Sequence, residues 1–141
     1  MNGLSDLLKL NYADIVKAQT KELEIERLSS LIKSKFTITI KSIDKNYMED
    51  LMEEASTLTT LKERKEHMCS VLSAGIVEPS KDDKQLKAWL GLSDRAPVNE
   101  IWKKLFTLTE IINIYTEIIN ISGVNGNVKV FNEIEEKTKK A

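Results

Sequence analysis

Between Thr107 and Gly123 the chain reads T-L-T-E-I-I-N-I-Y-T-E-I-I-N-I-S-G. So many β-branched residues favour a strand, but their spacing does not. Leu108, Ile111, Ile112, Tyr115, Ile118 and Ile119 fall at i, i+3, i+4, i+7, i+10 and i+11, one helical stripe over three turns. Ile114 and Ile121 widen that stripe to a second side. A helix apolar round so much of its girth is either central to a core or covered by a partner. The rest of the chain must supply elements that cover it.

The stretch before it is heavily punctuated. Gly75 ends one helical pattern and Pro79 separates it from the next. Ser80 and Asp83 sit at capping-box spacing and open a short helix over 80–90, in which Leu86, Trp89 and Leu90 share a face. Gly91 followed by Leu92 suits a Schellman ending. Pro97 is a first-turn residue for a helix over 98–122.

The first half of the chain predicts a hairpin and two more helices. Residues 1–20 read as an arm with two short apolar turns, Leu4, Leu7 and Leu8 and then Ile15 and Val16, neither long enough to fold alone. Lys21–Leu28 alternates, with Leu23 and Ile25 on one side and Glu22, Glu24 and Glu26 on the other. Phe36, Ile38 and Ile40 alternate likewise, so the hairpin occupies 21–43. Two strands alone are marginal in water, so the pair needs a helical cover or a third strand, and an open edge can recruit a partner. Asp44 is the expected N-cap of a helix over 45–57 that carries Met48, Leu51, Met52 and Ala55 inward. Thr60 and Glu63 predict a capping box for a helix over 60–74, with Leu61, Met68, Val71 and Leu72 inward. Beyond Gly123, residues 124–141 read as a turn and a short helix around Val130, Phe131 and Ile134 with a charged end. The expected fold is α+β, mostly α: an N-terminal antiparallel hairpin packed on a small helical bundle, as one domain over 21–123.

In order and spacing these motifs resemble a known family. G-I-V-E-P-S, a short helix, A-P, then K-L-F, E-I and I-S-G, with L-S-D-L-L-K-L-N, T-K-E-L-E-I-E-R-L and F-T-I-T-I upstream, resemble the tail assembly chaperones of contractile-tailed phages and phage-like particles of Gram-positive bacteria. The likeness runs over nearly the whole chain, and its motifs are structural. One departure is Ser34-Lys35, which stands where a glycine turn is expected before the second strand. The resemblance implies a non-enzymatic protein of the bacterial host cytoplasm. Such a protein binds the tape-measure protein, keeps it soluble, helps recruit tail-tube subunits, and is absent from the mature tail. It also implies a homo-oligomer and a second, frameshifted longer product through which the tail-tube protein is chiefly bound. The Lys139-Lys140 pair near the chain's end is where such slippage is expected. The alternative is a small adaptor or regulatory domain that binds a helical partner outside any phage context.

Composition and motifs point away from chemistry. The 21 basic and 22 acidic residues leave a net charge of −1, so no strong field selects nucleic acid or an anionic membrane. No apolar run approaches the ~20 residues of a membrane span. The lone Cys69 cannot form an intrachain disulfide and suits a reducing cytosol. His67, the single histidine, points about 200° round a helix from Cys69, so the two make no nucleophile–base pair. They read as a surface histidine and a buried thiol, and cannot together build a zinc site. Asp82-Asp83 reads as first-turn capping acids. Gly123 and Gly126 lack the Lys-Ser/Thr of a phosphate loop. No catalytic, metal or cofactor residue is expected. The candidate partner-binding residues are Leu4, Leu7, Leu8, Trp89, Trp102, Ile114 and Ile121. Both tryptophans are either core or one of them lies at the rim of a partner groove, where tryptophan is enriched.

Overall fold

A computed structural model describes residues 3–15 and 17–123; the expected C-terminal turn and helix lie outside the described residues. The fold is α+β and mostly helical. In chain order come α1 (Leu4–Leu7), α2 (Tyr12–Ile15), β1 (Thr20–Glu24), α3 (Glu26–Ile32), β2 (Thr37–Lys41), α4 (Lys45–Ala55), α5 (Leu61–Gly75), β3 (Ile76–Glu78), α6 (Lys84–Trp89), α7 (Asn99–Leu105) and α8 (Leu108–Ile121).

The hairpin forms in the expected antiparallel sense, with Leu23 opposite Ile38 and Lys21 opposite Ile40. Ile38 and Ile40 are fully buried and Ile25 nearly so. The first strand is shorter than its alternation predicts: it stops at Glu24, and Glu26–Ile32 turns into α3. Arg27 explains where that helix is tied. Its guanidinium donates to both carboxylate oxygens of Glu110, at 3.0 and 2.9 Å, and to the Leu105 carbonyl at 2.8 Å. Lys33, rather than a glycine, takes the left-handed turn that ends α3 (φ 57°). The support the hairpin needs arrives from both directions. The helices cover one side, and β3 pairs antiparallel with β2 to give the order β1-β2-β3. Ile76–Glu78, in the stretch expected only to separate two helices, is therefore the third strand, with a bulge where Thr39 faces Glu78 and Ile40 faces Ile76.

α5 and α8 form the centre. Gly75 lets them meet: a Cβ there would lie 2.7 Å from Ile118 Cδ1. Val71, Leu72, Ile101, Ile111 and Ile118 fill the interior with the sheet's isoleucines. Asp44 caps α4 as expected, accepting from the Asn46 and Tyr47 amides. Thr60 caps α5 by accepting from the Glu63 amide, but its hydroxyl takes the Glu63 carboxylate that would have closed the box. Leu61, expected inward, is exposed. α6 is capped by Asp83, three residues later than Ser80, and ends in the expected Schellman motif. There the Leu92 amide donates to the Lys87 carbonyl at 2.8 Å, and the Gly91 amide to that of Ala88 at 3.0 Å.

The helix expected over 98–122 is two helices. The chain extends at Phe106 and restarts at Thr107, where Thr107 and Glu110 form a complete capping box. The break lets Trp102 and Phe106 stack at 6.0 Å between ring centroids. At the far end, the Ser122 hydroxyl donates to the Ile118 carbonyl at 2.6 Å and accepts from the Ile43 amide at 2.9 Å, joining α8 to the start of α4.

Candidate partner-binding surface

The seven candidate residues divide sharply. Ile114 is 2% exposed and belongs to the core, not to an exposed side of α8. Its helix is apolar on two sides because α5, the sheet and α7 enclose it. Trp102 is fully buried, and its indole N–H donates to the Ser73 hydroxyl at 2.9 Å, which satisfies the one polar atom it brings inside. Ser73 in turn donates to Asn99 Oδ1, and Asn99 donates to Ser70 and Glu66. Lys103 completes this polar seam between α5 and α7 by pairing with Glu66 and Glu100. Its hydrogen bond, with that of Asn99, holds the Glu66 carboxyl below its ordinary value. Trp102 is thus a structural anchor.

Trp89 lies outside. Of its two expected readings, core or rim of a partner groove, the core one fails: it is 74% exposed, while Leu86 and Leu90 of the same stripe are half-buried. Lys87 takes the buried place instead, with its ammonium donating to the Asp94 carbonyl at 3.3 Å. Leu4, Leu7 and Leu8 are all exposed, Leu8 at 72%. α1 buries no residue, and Leu10 and Tyr12, which the spacing did not single out, extend its uncovered apolar surface.

Part of the arm and the end of α8 line one groove of about 1020 Å³, to which Tyr12, Ile43, Ala74 and Ile121 contribute. Ile121 is half-buried and forms part of the groove wall. Sequence spacing gave no sign of this groove, because it is assembled from five separate segments. Leu31 and Ile32 of α3 are also exposed, at the opposite end of the β1–β2 ladder.

The groups that might have carried chemistry are withdrawn from solvent. Cys69 is fully buried and its thiol is pushed up to about 11 by that burial. His67 is not the surface histidine expected from its spacing. It is 4% exposed, edge-on to Tyr115 with ring centroids 6.1 Å apart, and neither ring nitrogen has a hydrogen-bond partner. Among the described residues no three His, Cys, Asp or Glu side chains gather closely enough to hold a metal ion, and no described helix is long and apolar enough to cross a membrane.

No family model matches the sequence, and no match was found among curated proteins. A solved structure does share the fold. The crystal structure of the protein YqbN superposes with a TM-score of 0.51 at 17% identity, covering 74% of this chain and 87% of that one. At that identity the likeness speaks for the fold alone.

Proposed function

We propose that the protein is a non-enzymatic phage tail assembly chaperone. It binds the tape-measure protein, keeps that long helical chain soluble in the host cytoplasm, and helps recruit tail-tube subunits without remaining in the mature tail. The observation that carries this reading is the arm: Leu4, Leu7, Leu8, Leu10 and Tyr12 stand exposed in sequence from α1, which buries none of its residues, to the start of α2. An uncovered apolar run with polar flanks is what helix capture requires. The sequence resemblance over nearly the whole chain supplies the identity of the partner. The frameshift site at Lys139-Lys140 and the tail-tube contact of a longer product belong to the same proposal and lie outside the described residues.

Co-expression tests it. The wild-type protein is expected to keep the tape-measure protein in the soluble fraction. Leu7→Asp with Leu8→Asp is expected to lose that rescue while leaving the helical circular-dichroism signal unchanged, since neither residue is buried. Rescue that survives the double change removes the arm as the site. A gene neighbourhood without tail-tube and tape-measure genes removes the chaperone reading and leaves that of an adaptor for a helical partner.

A further inference from the structure

The groove at the start of α4 combines positive charge with apolar surface. Lys17, Lys41, Lys45 and Lys81 line it with a single carboxylate, Asp44. That carboxylate is already engaged in capping α4. All four lysines are exposed, and none pairs with a described acid within 4.0 Å, whereas Lys21, Arg27 and Lys103 elsewhere each do. Ile43, Ala74 and Ile121 supply apolar lining. Unpaired cations beside apolar side chains fit a segment that carries acids on the flanks of an apolar face.

This chain carries such a segment, and it begins at the groove. Gly123 is itself a lining residue, and the sequence goes on V-N-G-N-V-K-V-F-N-E-I-E-E-K-T-K-K-A. Val130, Phe131 and Ile134 share a face in the helix expected there, with Glu133 and Glu135 on its two flanks. Glu133, Glu135 and Glu136 put three acids within four residues. Lys129 precedes that cluster and Lys137, Lys139 and Lys140 follow it, so the acids enter the groove only with the basic end directed out of it. Reach is no obstacle. The ten residues from 124 to 133 span about 33 Å when extended and about 15 Å as a helix, against a groove of about 1020 Å³, roughly 10 Å on a side.

We propose that residues 128–136 dock in the lysine groove of their own chain. Glu133, Glu135 and Glu136 then neutralise lysines that the described residues leave unpaired, and Phe131 and Ile134 lie against Ile43 and Ile121. The short tether from Gly123 keeps the segment at high local concentration, so modest contacts suffice to hold it. An acidic partner of this groove has to displace it, which makes the segment a built-in competitor for the site. The contact uses neither Leu7 nor Leu8, so it stands apart from capture of a helical partner by the arm.

A nitroxide on the full chain tests it. Asn132→Cys carries the label on the side of the expected helix away from Val130, Phe131 and Ile134, and Cys69 is too deeply buried to compete for it. In isotope-labelled protein the nitroxide is expected to broaden the amide signals of Ser42, Asn46 and Tyr47 at the groove. Those of Leu31 and Ile32, at the far end of the β1–β2 ladder, are expected to stay sharp. Lys41→Glu, Lys45→Glu and Lys81→Glu together are expected to abolish the broadening. Adding Glu133→Lys, Glu135→Lys and Glu136→Lys to the same chain is expected to restore it, which a misfolded variant would not do. In a mixture of nitroxide-bearing chains without isotope and isotope-labelled chains without nitroxide, the groove signals are expected to stay sharp. Groove signals that the label leaves sharp within one chain overturn the proposal. So does broadening that survives reversal of the lysines, or that the full exchange fails to restore. Equal broadening in the mixture would place the segment on another molecule and overturn docking in its own groove.

Discussion

The burial of His67 makes a prediction about pH. The imidazole lies between α5 and α8, edge-on to Tyr115, and burial holds its pKa below the ordinary value of about 6.5. The Glu54 carboxylate of α4 pulls the other way without overcoming burial. The folded protein therefore keeps His67 neutral at pH values where the unfolded chain would protonate it. Below pH ~6.5 the unfolded state binds more protons, so stability falls as pH falls, and the loss stops only at the folded-state pKa. One proton sets the slope at no more than about 1.4 kcal/mol per pH unit. Against a total of roughly 5–15 kcal/mol for a domain of this kind, that is measurable. Glu66 and Glu110 do not confuse the window. Glu66 is lowered by hydrogen bonds from Lys103 and Asn99. Burial works to raise Glu110, but the Arg27 and Thr107 hydrogen bonds lower it on balance. Both therefore lose their contributions only as pH falls below the ordinary carboxylate range. The assay is urea unfolding between pH 7.5 and 5.0, read from the fluorescence of buried Trp102. His67→Leu removes two buried nitrogens that lack partners, so it is expected to stabilise the protein at pH 7.5 by about 1–3 kcal/mol and to flatten the slope. Equal slopes in wild type and variant, or a wild type that gains stability on acidification, would refute the reasoning.

Two further outcomes follow from the α5 packing. Cys69, fully buried with its thiol pushed up to about 11, is expected to resist alkylation at pH 8 in the native state and to react once urea opens the core; a native rate near that of a free thiol would contradict its placement. Gly75→Ala would set a methyl 2.7–3.0 Å from the Ile118 side chain and is expected to cost about 1–3 kcal/mol in urea unfolding, so an unchanged midpoint would show that α5 and α8 are not in such close contact.

What the sequence disclosed and what it hid differ by the range of the interactions involved. The Asp44 cap, the Gly91-Leu92 ending and the second alternating strand are set by residues within a few positions of one another, and each formed where the spacing placed it, while the first strand formed but gave way to α3 after Glu24. The break at Phe106 was equally local, since Thr107 and Glu110 stand at capping-box spacing. Apolar periodicity running through Ile101, Trp102 and Leu105 into Leu108 and Ile111 masked it. His67 too was readable: it lies four residues before the buried Val71 and so shares its face. Ile114 could not be assigned from α8 alone, because a helix apolar on two sides looks the same whether its own chain or a partner covers it. The groove lay furthest from reach. Its lysines are scattered between positions 17 and 81 and meet only through the order of the sheet and the docking of α4. The net charge of −1 conceals them, because the 22 acids that offset the basic residues lie mostly elsewhere in the chain. A near-neutral chain can therefore carry a basic groove, and the argument from overall charge against a strong field holds for the whole molecule but not for each face of it.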